Sequence, residues 1–428
     1  MTTHPETAPY LDAFRARPAA AEPAWLAAGR EAALARFAEL GFPTRREEAW
    51  RNSDLRPLQA GAFPPAQDRG AALPQALRFS GPCHRIVLVD GRFAADLSAI
   101  GPLPKGAWLA STAATLAERP DLARNALAED DRARQPFAAL NAAFFADGFV
   151  LALDPGVTLD RPVEIIHLAG AGEPRSLHLR SAVVLGEGSR AALIETFAGD
   201  GEYWTNAVTA IRIGADATLS HARIQDEGAS AVHLALTRVA LDHKARYQNF
   251  NLTLGARLSR QEIHARFDGA DGECRLDGAY CLRRDQEATT ATFVDHAAPG
   301  CTTRELFKGV IDDRAHGIFL GRIAVRPDAQ KSDAQQLNRN LLLSRRAAAD
   351  TKPELEILAD DVKCAHGATV GDLDEEALFY LLSRGIAAED ARRLLIEAFA
   401  SDALERVEDR AVRAHLAAHL DRWLGKRE

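Results

Sequence analysis

A thiol and an imidazole stand two residues apart in Asp360-Asp-Val-Lys-Cys-Ala-His-Gly-Ala-Thr-Val-Gly371, at Cys364 and His366. In an extended chain, residues i and i+2 project from one face, so a soft sulfur and a borderline nitrogen donor are offered together to one iron, one sulfur species or one partner subunit. Two donors do not close a structural tetrahedral site, which takes four. A metal bound here is therefore held openly, transiently, or with ligands from a second chain. On spacing alone the plainer reading is a small buried thiol beside a hydrogen-bonded loop histidine.

Other patterns carry weaker chemistry. His415-Leu-Ala-Ala-His419 has the i,i+4 spacing of a zinc-protease helix, but Leu416 stands where the general-base Glu is required, so the pair reads as solvated or partner-facing helix surface. The paired acids Asp312-Asp313 and Asp360-Asp361 suggest the carboxylates of a β-helical polysaccharide enzyme. Neighbours in a strand point to opposite faces, however, and turn positions suit these acids better. Five cysteines, at 83, 274, 281, 301 and 364, form no Cys-x-x-Cys pair, which argues against zinc ribbons and thioredoxin-type chemistry and for free thiols. Cys274, Cys281 and Cys301 fall among expected strands and read as packing, as does Cys83. His296, near Cys301, and His316 are secondary candidates that spacing does not rank. No Gly-x-Ser-x-Gly, Walker lysine loop or dinucleotide fingerprint occurs, so the chain brings no nucleotide site of its own.

Positioning the Cys364 and His366 pair falls to the rest of the chain. From about Asp147 hydrophobic alternation replaces helical spacing, and strands dominate to about residue 345. The last apolar residues before three successive turns, Leu185, Ile213 and Leu241, are spaced by 28 residues. A repeat of strand, turn and strand at that length means stacked units that bury their faces only on their neighbours. Without long helices between strands, doubly wound sheets and (β/α)₈ barrels lack their return paths. A β-solenoid, or parallel β-helix, fits best, with an antiparallel sandwich as the alternative. The repeat loosens after residue 250, where Asp268-Gly-Ala-Asp-Gly-Glu-Cys crowds glycine and charge. Lys331-Ser-Asp-Ala-Gln-Gln-Leu-Asn-Arg-Asn-Leu-Leu-Leu-Ser reads as a strand whose Asn and Gln satisfy turn backbones.

A solenoid has two ends to cover. Before it, Glu22-Pro23 opens an amphipathic helix carrying Leu26, Leu34, Phe37 and Leu40 and stopping at Gly41, and residues 110 to 145 return to helical spacing. After it, Asp374 is placed as an N-cap, Leu373 and Leu378 as a hydrophobic staple and Gly385 as a stop. A second helix follows Glu389-Asp390 with Leu394, Leu395, Ala398 and Phe399, and a third carries Val412, Leu416, Leu420 and Leu424. The expected organisation is a mostly helical segment over 1–145, a parallel β-helix over 146–372 and a helical segment over 373–428.

A formal charge of −8 offers no basic field to phosphate backbones, which argues against nucleic acid as a partner. The opening Met-Thr-Thr-His-Pro-Glu shows no secretory pattern, and no apolar run approaches the roughly 18 residues that span a bilayer. The reading is a cytoplasmic protein with no membrane partner.

Two stretches more than 300 residues apart carry a family resemblance. Lys363-Cys-Ala-His-Gly-Ala-Thr-Val-Gly, followed by an acidic helix start and Phe379-Tyr-Leu-Leu-Ser-Arg-Gly, resembles the C-terminal signature of the SufD branch of the SufB/SufD family, which serves SUF iron–sulfur cluster assembly. Gly41-Phe-Pro-Thr-Arg-Arg-Glu-Glu-Ala-Trp-Arg-Asn-Ser-Asp is similar to the same family's N-terminal signature, and Lys331 to Ser344 resembles its last core coils. The resemblance implies a mainly β protein, a right-handed parallel β-helix between helical domains, acting as a non-catalytic scaffold subunit. It further implies pairing with a SufB-like sister, docking of a SufC-like ABC ATPase on the C-terminal helices, and a homodimer when alone. His366 falls on the family position proposed as an iron or cluster ligand at the partner interface, and Cys364 on the neighbouring interface thiol, the iron or cluster being transient. The rival within the family is a SufB-type scaffold, whose chains resemble Glu-His-Glu-Ala-Thr at this site. Outside the family the rivals are a β-helical carbohydrate-active enzyme and a solenoid binding module without iron chemistry.

Overall fold

The computed structural model describes residues 4–17, 22–60, 63–66, 70–128, 135–170 and 172–425. The opening Met-Thr-Thr and residues 426–428 lie outside them.

From Phe149–Leu153 to Lys363–Gly371, every strand pairs in parallel with the strand two places along the chain. The chain therefore winds as a β-solenoid of about 8 turns, each turn giving one strand to a 10-stranded sheet and one to a 9-stranded sheet. The sandwich alternative needs antiparallel pairing, which among the described residues occurs only at the start of the stack, where Arg92–Phe93 pairs with His84–Val89 and Ala107–Ser111 with Phe149–Leu153. Leu185, Ile213 and Leu241 form one vertical column, continued by Phe267, His296, Val325 and Ile357. The even spacing seen in sequence thus marks successive coils, and the later coils vary in length, one shorter and the rest longer, while keeping the register.

Each of six successive coils turns through a left-handed residue: Gly188, Asp216, Lys244, Asp271, Gly300 and Lys331, with φ from 55° to 72°. Only glycine adopts this conformation without steric cost, yet two of the six are lysines, so the winding imposes it on residues that would not choose it. Asp312 and Asp313 sit in the turn between Thr302–Ile311 and His316–Val325, and Asp313 is itself left-handed at φ 52°. Asp360 and Asp361 precede the final strand, so both acid pairs are turn residues.

Inside the stack, Leu193, Leu219, Tyr247, Phe267, Leu276, Phe307 and Phe319 build a continuous apolar core. Polar groups are threaded through it. Glu195 accepts from Arg223 at 2.6 Å and faces His167 at 2.9 Å and His221 at 3.3 Å. Burial by itself raises a carboxyl, but Arg223 and the two histidines outweigh it and hold Glu195 well below the usual carboxylate range. Asn338 and Asn340 also lie buried within the stack, where Asn338 Nδ2 donates to Tyr280 Oη at 3.1 Å and to the Phe307 carbonyl at 3.2 Å. Gln336, Asn338 and Asn340 of Asp333–Leu342 therefore serve the interior and not the turns, because their parity on this strand faces inward, while Gln335 is exposed.

Helices cover both sheets. α1 (Ala8–Arg15), α2 (Ala24–Leu40), α3 (Arg56–Gln59), α4 (Thr112–Glu118), α5 (Pro120–Ala126) and α6 (Pro136–Phe144) precede the solenoid. Gly41 ends α2 in the left-handed region at φ 67°. Tyr10, Phe37, Phe42 and Phe137 pack as an aromatic cluster onto Trp204 of the 9-stranded sheet, and the Tyr10 hydroxyl donates to the Leu58 carbonyl at 2.6 Å. Trp50 is half-buried between Phe137 and the Arg260 guanidinium, 3.9 Å above its ring. On the 10-stranded sheet lie α8 (Ala388–Leu404) and α9 (Arg410–Gly425), preceded by α7 (Glu375–Ser383). The Asp374 side chain caps α7 by accepting from the amides of Glu376 and Ala377, and Gly385 follows its end at φ 83°.

Two sequence readings of these helices are corrected. α8 buries Ala391, Ile396, Ala400 and Ala403, while Leu394 is 43% exposed, because small residues let the helix lie close on the sheet. His415 and His419 are buried, not solvated: α9 lays the Val412, Leu416 and Leu420 stripe and both imidazoles against the sheet, with His415 edge-on to Phe79. Burial pushes the His415 imidazole down to about 4.

A titration follows from this packing. Asp277 is 2% exposed on the outer face of the 10-stranded sheet, beside a cavity of about 230 Å³ closed by Arg406, Glu408 and Arg275. Burial raises its carboxyl to about 7, with Arg406 and Arg275 only partly opposing. The unfolded carboxyl titrates near 3.9, so the folded chain binds the extra proton between about 4 and 7 and loses stability as pH rises through that window. Asp277→Asn is expected to be more stable than the parent by about 2 kcal/mol at pH 8, with the gain disappearing near pH 4. Denaturant midpoints at both pH values check it; a gain equal at the two would refute the assignment.

Candidate functional site at the open end of the solenoid

The two ends of the stack differ. The first coil finishes in strands of two and five residues, Arg92–Phe93 and Ala107–Ser111. The last finishes in Ala348–Ile357 and Lys363–Gly371, each hydrogen-bonded to one neighbour and standing at the edge of its sheet. No residue of either strand is buried, whereas earlier strands are mostly so. Ile357 is 40%, Leu358 54% and Val370 47% exposed.

Long, flat, exposed edges are templates for another strand. Lys352 and Pro353 interrupt the edge of Ala348–Ile357, and both residue types discourage pairing. Lys363–Gly371 carries a single charge, at its first residue. The Lys363 amide donates inward to the Ser332 carbonyl at 2.9 Å, so by alternation the amides of Cys364, His366, Ala368 and Val370 point away from the stack.

Cys364 and His366 lie on this strand, in register with Ala334 and Gln336. The predicted sharing of one face holds in the backbone. Both continue inward-facing columns of the stack, but their own environments differ. Cys364 is half-buried and packs against the core, and burial pushes its thiol pKa up. His366 is exposed. Beneath it in the same column come Gln336, Glu305 and Leu276. Gln336 Nε2 donates to Glu305 Oε2 at 2.8 Å, and Thr292 Oγ1 reaches the same oxygen at 2.9 Å from the opposite sheet. Burial, ahead of these bonds, raises Glu305 to about 7. Neither Glu305 nor Gln336 was singled out from sequence. The available signal was parity: 336 shares the strand phase of 334, which pairs with Cys364.

The other candidates are not brought here. His296 is buried between Ser332 Oγ at 3.1 Å and Thr303 Oγ1 at 2.8 Å. His316 faces Asp350 at 2.9 Å on the outer surface. Cys274, Cys281 and Cys301 are buried, and Cys83 is half-buried beside Glu164, 3.4 Å away. Among the described residues no three His, Cys, Asp or Glu side chains converge on a metal-sized site. The described side chains around His366 do not by themselves make a closed metal site.

The structure is thus a helix-flanked β-solenoid with an imidazole and a thiol on its last, uncovered strand. The chain belongs to the SufB/SufD family of SUF-system iron–sulfur cluster assembly proteins. Its residues 7–165 match the SufBD protein N-terminal region and residues 167–399 the SUF system FeS cluster assembly SufBD core domain. It is 31% identical to the iron–sulfur cluster assembly protein SufD of Escherichia coli, over 91% of each chain. A SufBD family protein of Synechocystis is also 31% identical, over 88% of this chain and 86% of its own. A chloroplastic protein of Arabidopsis thaliana is 30% identical, over 89% and 82%. No described helix is long and apolar enough to cross a membrane.

Proposed function

We propose that this chain is the SufD-like, non-catalytic subunit of a cytoplasmic SUF scaffold complex. Its open coil pairs with a SufB-like sister solenoid, and its C-terminal helices hold a SufC-like ABC ATPase. Iron, or a nascent iron–sulfur cluster, is the substrate that passes through the seam. Neutral His366 supplies a nitrogen ligand with Cys364 beside it, while the sister subunit supplies thiolate, so each solenoid holds half a site. The observation that carries this reading is the uncovered strand Lys363–Gly371, which has outward amides and His366 on one edge. In the absence of the sister, the same edge pairs with a second copy. Closure of two ATPase subunits on nucleotide would twist the paired solenoids and expose the seam.

For the ATPase, support comes from α7, none of whose residues is buried and which exposes Phe379 by 72% and Tyr380 by 57%. Adjacent exposed aromatics are a docking feature. Co-expression with a sister solenoid and an ABC ATPase is expected to yield all three in one complex. The double variant Phe379→Ser, Tyr380→Ser is expected to lose the ATPase and keep the sister. A chain that purifies alone in the presence of both partners contradicts the proposal, and a double variant that retains the ATPase contradicts the docking surface.

A further inference from the structure

The column beneath His366 contains a buried acceptor with nothing to accept. Gln336 is 2% exposed, and its Oε1 has no hydrogen-bond partner among the described residues. Leaving such a group unpaired costs about 1–3 kcal/mol, so its retention calls for a partner. The orientation of the carboxamide is fixed from below: Glu305 Oε2 accepts from Nε2, which turns Oε1 away from that oxygen. Gly321 on the opposite sheet leaves room for the amide, since a Cβ there would collide with Gln336 Nε2. The residue paired with Gln336 on the following strand is His366.

We propose that Gln336 is the positioning residue for His366: its Oε1 accepts one ring N–H, fixes a single neutral tautomer and leaves the other nitrogen bare at the open edge. A histidine ligand is regularly oriented by such a partner on its other nitrogen. Glu305, held by Thr292, acts one step behind by keeping the Gln336 amide from turning over. The inference rests on the reading of His366 as a ligand only for its consequence, not for its geometry.

The test is long-range ¹⁵N correlation spectroscopy on ¹⁵N-histidine-labelled full-length protein at alkaline pH, with His366 assigned by its loss in His366→Gln. The parent is expected to show one dominant His366 tautomer. Gln336→Met, which keeps length and removes the acceptor, is expected to show a mixture, and Gln336→Glu, which restores an acceptor, to recover the single form. Glu305→Gln lets the Gln336 amide adopt either orientation and is also expected to give a mixture, so the outcome does not hang on one variant folding. Identical tautomer populations in the parent, Gln336→Met and Glu305→Gln overturn the proposal. Ferrous iron loading of the assembled complex is the second arm, with a 10- to 100-fold weaker affinity expected for Gln336→Met. If the tautomer shifts while loading is unchanged in both Gln336→Met and His366→Ala, the positioning role stands and the ligand reading fails.

Discussion

His366→Ala is expected to cut iron–sulfur cluster formation at least tenfold in a complex reconstituted with the sister solenoid and the ATPase, while the variant chain folds as the parent does. The effect is large because, in the proposed shared site, this chain offers only His366 and the half-buried Cys364, and no group of three metal-ligating side chains among the described residues makes up the loss. The stability effect is small because His366 is exposed on an edge strand, where substitutions usually change stability by no more than about 0.5 kcal/mol. Cys364→Ser should be milder, since the half-buried thiol is held in its protonated form by its surroundings. Cluster yield, read from visible absorption and acid-labile sulfide at matched complex concentration, decides the matter. Full yield from His366→Ala would end the ligand assignment.

Ala368→Pro is expected to weaken pairing with the sister subunit about a hundredfold. The Ala368 amide points away from the stack, so proline there leaves the ladder to Asp333–Leu342 intact. The same ring obstructs an incoming strand and removes an outward donor, leaving its acceptor unpaired at a cost of up to about 3 kcal/mol, which corresponds to about a hundredfold in Kd. Thr369→Pro is the control, because its amide faces inward and its loss should damage the coil itself. Sedimentation of the two chains over a range of concentrations, together with circular dichroism of each, separates the cases. If Ala368→Pro pairs as tightly as the parent, the seam does not run along this strand.

Much of this is legible in the sequence itself, for reasons that differ by residue. Asp374 and Gly385 were legible because capping is local chemistry and needs no knowledge of what the helix touches. Leu185, Ile213 and Leu241 were legible because a stack repeats its apolar columns. Cys364 and His366 shared a face for the simplest reason, the two-residue period of a strand. What sequence hid was burial that depends on distant partners. His415 and His419 have the look of helix surface because polarity ordinarily goes with solvent, yet the outer face of the 10-stranded sheet receives them. Asp333–Leu342 hid its orientation more thoroughly, since Gln336, Asn338 and Asn340 invert the usual rule of apolar inside. The left-handed turns at Lys244 and Lys331 left no mark at all, because the conformation is enforced by the winding and not chosen by the residue.

The unequal ends of the stack bear on how the polypeptide is made. Translation delivers the shut end first, so each later coil can be laid on one already formed as it leaves the ribosome. Every edge created on the way is hidden by the coil that succeeds it. The last two strands, Ala348–Ile357 and Lys363–Gly371, are the exception: no later strand of the described chain is laid on them, and the outward amides of the strand bearing His366 stay open after the winding is complete.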